Sequence, residues 1–157
     1  MPADLARPRT RSFLMPRDRA HRSAYVHFQP MTTRWRDNDV YGHMNNAVYY
    51  EYVDAAVNGW IIASDTLPVP SGPVVGIVVE SHCVFHAALG FPGCIETGLK
   101  VARVGTSSVV YGVGLFEASA DVAAAEARFV HVYVDAQSRR PVPLPRDFRA
   151  ALQALVR

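Results

Sequence analysis

The sequence lacks the features that mark several large classes of protein. Its two cysteines, Cys83 and Cys94, have neither the spacing of a metal-binding motif nor the pattern of a disulfide framework. No apolar run approaches the roughly 20 residues needed to span a bilayer. The first residues contain no apolar segment of the kind found in secretory signals. We therefore expect a cytoplasmic protein of a reducing compartment, with no membrane span.

A strong charge imbalance is also missing. The chain of 157 residues has a formal net charge of only +2 at pH 7. Six arginines and two aspartates fall within residues 1–22, so the remainder is slightly acidic. Proteins that bind nucleic acid need a concentrated basic face. We therefore expect no nucleic-acid partner.

Common catalytic and cofactor motifs are absent as well. No Gly-x-Ser-x-Gly motif is present, which argues against a serine-dependent hydrolase. No glycine-rich loop joins a strand to a helix in the way that phosphate-binding loops do. His82 and His86, with Glu80 beside them, are candidates for a metal site, but residues four apart on a strand lie about 13 Å apart. That distance is too long for one ion, and we expect neither a metal nor a bound cofactor.

Length and composition fit one domain preceded by an arm. Half of the residues are hydrophobic, enough for one core in a chain of this size. Residues 1–30 contain six arginines and four prolines without apolar periodicity. This pattern predicts a flexible basic arm over residues 1–30 and a single domain over residues 31–157. A chain that starts at Met31 is expected to fold and to keep most of its activity.

Hydrophobic periodicity predicts an α+β fold. Residues 33–38 alternate as in a strand, and residues 46–64 show one apolar helical face. That face comprises Tyr49, Tyr52, Val53, Ala56, Val57, Trp60 and Ile61. Four strand-like runs follow, at about residues 74–87, 95–103, 109–115 and 127–134. A strand, a helix and four consecutive strands indicate an antiparallel five-stranded sheet, and a short helix over residues 147–156 closes the chain.

The first of these four runs has a clear alternation. Its predicted faces separate odd-numbered from even-numbered residues, with one face formed by Val75, Ile77, Val79, Ser81, Cys83 and Phe85.

Residues that carry chemistry gather between the first strand and the long helix. Asp37 and Asp39 precede a glycine turn and His43, and Asn45 or Asn46 can cap the helix. A helix start offers unpaired N–H groups and partial positive charge. Such donors can stabilise a developing oxyanion, and Asp39 beside them can act as a base or a nucleophile. The same residues are equally compatible with a plain turn followed by a cap.

The run from Asp37 to Tyr49 reads Asp-Asn-Asp-Val-Tyr-Gly-His-Met-Asn-Asn-Ala-Val-Tyr. It resembles the signature of hotdog-fold thioesterases, in particular the 4-hydroxybenzoyl-CoA thioesterase-like group. The resemblance extends over about residues 32–135 and implies a hotdog fold, in which an antiparallel five-stranded sheet wraps around one long central helix. It implies an acyl-CoA thioester hydrolase in which Asp39 is the catalytic carboxylate. A backbone amide near Asn46 would polarise the thioester carbonyl.

The resemblance also implies further site residues and an assembly. His43 matches the catalytic histidine of plant acyl-carrier-protein thioesterases, although their catalytic asparagine corresponds to Tyr41 here. We expect His43 to join Asp39 and Asn46 as a catalytic residue. Substrate contacts are expected from Tyr41, Gly42 and Tyr49. The protein is expected to be a homodimer or homotetramer whose site forms where subunits meet.

Two other functions fit the same residues. A hotdog dehydratase acting on hydroxyacyl thioesters would use a histidine and an acid near the central helix, such as His43 with Asp39 or Glu51. A non-catalytic module that binds acyl thioesters would need only the fold. The sequence leaves open the acyl group, the choice between coenzyme A and acyl-carrier-protein esters, and the roles of Lys100, Arg103 and Arg128 towards CoA phosphates.

Overall fold

The computed structural model describes residues 18–157, and the earlier part of the predicted arm lies outside the described residues. The main elements are β1 (His27–Thr32), α1 (Asn46–Ser64), β2 (Val74–Phe85), β3 (Cys94–Val104), β4 (Ser108–Glu117), β5 (Ala125–Asp135) and α2 (Arg146–Gln153). This order confirms the predicted α+β class. Within the described residues, no helix is both long enough and apolar enough to cross a membrane.

The five strands form one antiparallel sheet in the order β1-β3-β4-β5-β2. Helix α1 packs against one face of this sheet, and the core lies between them. The buried residues of α1 are the seven that the sequence predicted: Tyr49, Tyr52, Val53, Ala56, Val57, Trp60 and Ile61. The sheet therefore wraps around one long helix, as the predicted hotdog fold requires.

The chain between β1 and α1 differs from the prediction. Instead of a strand over residues 33–38, it forms a short 3-10 turn at Trp35–Asp37, since β1 ends at Thr32. The Asp37 carboxylate accepts hydrogen bonds from the Arg34 backbone N–H at 2.7 Å and from Arg34 Nε at 2.9 Å. These local bonds replace the ladder bonds of a strand, so the predicted strand is wrong.

The predicted boundary at residue 30 also differs from the structure. Residues 27–30 belong to β1, which pairs with β3 along its whole length. Before β1, Tyr25 is only 7% exposed, and Arg22 forms an ion pair with Glu96 at 2.9 Å. The folded part of the chain therefore begins before Met31.

Two glycines allow Tyr25 to lie close to the sheet. Gly98 and Gly114 are paired across β3 and β4. A Cβ atom would lie 2.9 Å from Tyr25 Cγ at Gly98 and 2.6 Å from Tyr25 Cζ at Gly114. Leu115 belongs to the core beneath α1, so its neighbours in β4 face the other way. Part of the sheet face opposite α1 is thus covered by residues that the sequence assigned to the arm.

Strand β2 forms an edge of the sheet and contains a bulge. In the described part of the chain it pairs only with β5, and the register shifts between Val78 and Glu80. Val74 and Cys83 therefore both pack against the core beneath α1, although one has an even number and the other an odd number. The predicted alternation, with Val75 and Cys83 on one face, is wrong. The extra residue of the bulge reverses the alternation partway along β2, and the sequence contains no periodic signal for it.

Candidate active site

The loop that leads into α1 is held in one shape by its own backbone. The Asp39 N–H donates to the His43 carbonyl at 2.9 Å, and the Gly42 N–H donates to the Asp39 carbonyl at 3.1 Å. Gly42 has a φ of 83°, in the left-handed region that favours glycine. These contacts fix the backbone of Asp39 in front of the helix.

A second loop supports the first from the side. The amide of Asn38 donates to the Phe91 carbonyl at 3.0 Å and accepts from the Phe91 N–H at 2.9 Å. The Met44 N–H donates to the Leu89 carbonyl at 2.8 Å. The residues on both sides of Asp39 are therefore bonded to the chain between β2 and β3.

The side chain of Asp39 is partly exposed and only partly used. One carboxylate oxygen accepts a hydrogen bond from the Tyr41 N–H at 2.8 Å. The other oxygen has no hydrogen-bond partner among residues 18–157. One oxygen thus orients the group, while the other remains available to a substrate or a water molecule.

Helix α1 begins at Asn46, and Asn45 is its cap. The Asn45 side chain accepts from the Ala47 N–H, and its carbonyl accepts from the Val48 N–H, each at 2.9 Å. In the described part of the chain, the Asn46 N–H has no acceptor. Asn45 therefore satisfies the N–H groups of Ala47 and Val48 and leaves the Asn46 N–H free at the positive end of the helix.

A cleft of about 390 Å³ brings these groups together. Its lining includes Asp39, His43, Asn46, Tyr49, Phe85 and His86. One cavity at the start of α1 is therefore lined by an aspartate, two histidines and the first residue of the helix, whose N–H has no acceptor among residues 18–157. This arrangement offers a base or nucleophile beside a donor for a developing oxyanion.

The other predicted site residues have different positions. Tyr49 is a wall of the cleft, because its ring packs edge-on against Phe85 at 4.9 Å and its hydroxyl accepts from the Leu89 N–H at 3.1 Å. Tyr41 is 82% exposed and does not line the cleft. Gly42 borders a neighbouring cavity of about 440 Å³, and His43 lies between the two cavities because it lines both.

Asp37 has a different environment from Asp39, although the two aspartates are only two residues apart in the chain. It is fully buried and accepts a hydrogen bond from the Tyr52 hydroxyl at 2.5 Å, in addition to those from Arg34. Burial opposes ionisation, but the hydrogen bonds from Tyr52 and Arg34 outweigh it and hold the pKa of Asp37 below its ordinary value. Asp37 is therefore a structural carboxylate.

One residue of the cleft was not identified from the sequence as part of the site. His86 directly follows β2, and its Nε2 lies 2.7 Å from Oε2 of Glu126 in β5. From the sequence, His86 is a candidate only for a metal site with His82 and Glu80. Glu126 is far away along the chain, so the sequence contains no local signal for this pair.

Comparison with known families agrees with this geometry. Residues 33–152 match the family model described as the thioesterase-like superfamily. The match extends over most of the chain and includes the loop of Asp39 and all of α1. The chain therefore belongs to the thioesterase-like superfamily, and the resemblance to hotdog-fold thioesterases is confirmed.

Solved structures have the same fold. A protein of Pseudomonas aeruginosa strain PAO1 is 49% identical, with a TM-score of 0.85, over 88% of this chain and 96% of that one. A proposed thioesterase from Pseudomonas aeruginosa is 27% identical, with a TM-score of 0.75, over 82% of this chain and 98% of that one. A 1,4-dihydroxy-2-naphthoyl-CoA thioesterase from Synechocystis is 16% identical, with a TM-score of 0.72, over 80% and 94% of the two chains, and shares the fold alone. No curated protein matches the sequence.

Proposed function

We propose that the protein is an acyl-CoA thioester hydrolase that releases a free acid and coenzyme A. One observation carries this proposal: Asp39 and Asn46 line the same cleft, and within residues 18–157 one Asp39 carboxylate oxygen and the Asn46 N–H have no hydrogen-bond partner. Thioester hydrolysis needs a base or nucleophile beside a donor that stabilises the carbonyl oxygen. Membership of the thioesterase-like superfamily supports the same reaction.

The reaction can follow two routes from these groups. As a general base, Asp39 takes a proton from water while the water oxygen bonds to the thioester carbon. The carbon–sulfur bond then breaks, and the proton passes to the leaving thiolate. As a nucleophile, Asp39 bonds to the acyl carbon and expels the thiolate, and water then hydrolyses the resulting anhydride. In both routes the Asn46 N–H and the α1 dipole stabilise the negative charge on the carbonyl oxygen.

The proposal includes a second copy of the chain. Within residues 18–157, one edge of strand β2 has no pairing partner, and three of its apolar residues are strongly exposed: Val78 at 43%, Val79 at 58% and Phe85 at 43%. Phe85 also lines the cleft of Asp39, so a copy that pairs along β2 would lie beside the site. We expect a homodimer or homotetramer by light scattering, and a fully active monomer would contradict this expectation.

A panel of acyl-CoA esters tests the reaction. Short, long, branched and aromatic esters are incubated with the protein, and the free thiol is measured. Release of coenzyme A from at least one ester, with the matching free acid, is the expected result. The product also separates the rival functions. A dehydratase would form an enoyl thioester from a 3-hydroxyacyl-CoA without free thiol, and a binding module would show saturable binding without turnover.

The same panel decides between two carriers. Each favoured acyl group is offered once on coenzyme A and once on acyl carrier protein. A higher kcat/KM on coenzyme A supports the proposal, and a preference for the carrier protein would contradict the acyl-CoA assignment while leaving the hydrolytic chemistry intact.

A further inference from the structure

The cleft of Asp39 has an open rim and a closed inner wall. Asp39 is partly exposed, and His43 and Asn46 are exposed, so these three residues form the rim. Met44 and Tyr49 line the same cleft, although they are only 4% and 3% exposed. Residues that line a cleft while nearly all of their surface is buried lie at its inner end. Met44 and Tyr49 are therefore the inner wall.

The Tyr49 side chain in this inner wall is held in one position. Its hydroxyl accepts a hydrogen bond from the Leu89 N–H at 3.1 Å, and its ring packs edge-on against Phe85, with 4.9 Å between the ring centroids. The Leu89 carbonyl accepts from the Met44 N–H at 2.8 Å. Leu89 thus bonds to both residues of the inner wall. Because the Tyr49 ring is held at its tip and along its side, it is a fixed barrier.

The hydrophobic core lies behind this barrier. Tyr49 belongs to the core between α1 and the sheet. Val53, four residues further on the same face of α1, is fully buried in that core. Cores are close-packed, so an added methylene group forces side chains and backbone to shift. An apolar chain that enters the cleft therefore ends at the Tyr49 ring.

The inner side of the cleft also suits an apolar chain better than the neighbouring cavity does. Apart from the rim residues and His86, the cleft is lined by apolar residues: Met44, Tyr49, Phe85, Ala87 and Ala88. The cavity of about 440 Å³ on the other side of His43 includes Glu117 in its lining. A carboxylate is an unfavourable neighbour for an apolar chain, because removing its water is costly.

We propose, on the basis of the thioester hydrolysis proposed above, that the acyl group ends against the Tyr49 ring, so that Tyr49 limits its length and the protein acts on short acyl groups. The cleft has a volume of about 390 Å³. This volume is near the lower end of the roughly 300–1,000 Å³ of sites for drug-sized molecules. It also has to hold the thioester group and the attacking water, so a few acyl carbons fill the rest.

S-alkyl thioethers of coenzyme A test this limit, because they lack the carbonyl group and are not hydrolysed. Ethyl, butyl, hexyl, octyl and decyl thioethers are titrated into the full-length protein, and dissociation constants are measured by calorimetry. Each methylene group that becomes buried should tighten binding about fourfold. In the wild type we expect this gain up to butyl or hexyl and no gain beyond hexyl.

Three variants locate the limit. Tyr49→Leu should extend it, because a shorter side chain opens the cleft towards Val53, and octyl should then bind more tightly than hexyl by up to about fourfold per methylene group. Tyr49→Phe keeps the ring and should keep the wild-type limit. Tyr50→Leu makes the same change one residue later, at a residue that does not line the cleft, and should also keep that limit.

The wild-type series decides the question even if Tyr49→Leu fails to fold. A gain beyond hexyl in the wild type, no saturable binding of any thioether, or the wild-type limit in a folded Tyr49→Leu would each overturn the proposal. The acyl-CoA panel separates this failure from failure of the proposed function. Equal release of free thiol from short and long esters would refute the length limit and leave hydrolysis intact. A length limit in thioether binding, without free thiol from any ester, would refute hydrolysis alone.

Discussion

Residues 18–37 and residues 39–46 are neighbours in the chain but use their polar groups in opposite ways. In the first stretch the Asp37 carboxylate is buried and bonded to Arg34 and Tyr52. In the second, Asp39 keeps one oxygen free, and the Asn46 N–H has no acceptor within the described chain. The first stretch uses its polar groups to hold the fold, and the second leaves them available to a substrate.

Burial and hydrogen bonding explain this division better than residue type. Two aspartates that are two residues apart have different roles because a 3-10 turn directs one into the protein and a glycine turn holds the other at a cleft. Polar groups without partners reduce stability, and functional sites are where proteins retain them. Variants of the two stretches should therefore separate activity from stability.

The largest expected effect is on turnover. Asp39→Asn should lower kcat by about 10²–10⁴-fold, the range for a positioned base, because the amide does not accept the proton in the reaction. KM should change little, since the amide keeps the shape of the side chain. Steady-state kinetics on the best acyl-CoA ester of the panel measures both. The free energy of unfolding should stay within about 0.5 kcal/mol of the wild type.

Asp121→Asn is a matched control for this variant. Asp121 is exposed, and its carboxylate makes no hydrogen bond to residues 18–157. The Asp121→Asn variant should therefore leave kcat and the free energy of unfolding unchanged. Turnover of Asp39→Asn at a near wild-type rate would show that Asp39 is not the catalytic carboxylate.

The next effect concerns the start of the folded chain. The sequence analysis expects a chain starting at Met31 to fold, but such a chain lacks four of the six residues of β1 and the buried Tyr25. Loss of one large buried aromatic side chain alone costs about 3–5 kcal/mol. We now expect the chain from Met31 to unfold at a much lower temperature than the chain from Asp18. Equal melting temperatures in thermal denaturation would restore the boundary at residue 30.

Most of the fold follows from patterns that the sequence displays. The seven buried residues of α1 recur at helical spacing, so the central helix is readable to its ends. The wrongly predicted strand over residues 33–38 has a physical cause. These residues alternate between two faces as in a strand, but Arg34 donates hydrogen bonds to the Asp37 carboxylate that close a turn instead. Local competition of this kind leaves no periodic signal.

The site was readable only where it is continuous in sequence. Asp39, His43 and Asn46 lie within one short run and share one cleft. The His86–Glu126 pair joins β5 to the residue that follows β2, two segments brought together by the sheet. The bulge at Val79 alters which residues of β2 face α1. The register of distant strands decides both features, and single-sequence periodicity does not specify that register.

The third expected effect is on stability. Asp37→Asn should reduce the free energy of unfolding by about 2–4 kcal/mol, because the amide has no charge to pair with Arg34 and replaces one of the two acceptor oxygens with a donor. Urea denaturation with an unchanged m-value measures this loss. Asp39→Asn, with the same chemical change two residues later, is the control. Equal stability of the two variants would remove the distinction between the two stretches.

Acidification tests the same carboxylate without a mutation. The folded pKa of Asp37 is below the ordinary value of 3.8, so its ionised form stabilises the fold above that pH. This stabilisation decreases as the pH falls through the folded pKa. The wild type should therefore lose more free energy of unfolding than Asp37→Asn between about pH 5 and about pH 2. Parallel curves for the two proteins would show that Asp37 does not have a lowered pKa.

The smallest expected effect is at His43. Its imidazole is exposed, makes no hydrogen bond to residues 18–157, and borders two cavities rather than one. A side chain that no neighbour orients contributes less than a positioned base, so His43→Ala should lower kcat by about tenfold or less. His82→Ala, which changes an exposed histidine outside the Asp39 cleft, is the control. A loss in His43→Ala as large as that in Asp39→Asn would mean that the substrate orders the imidazole, and the base would then be shared between the two residues.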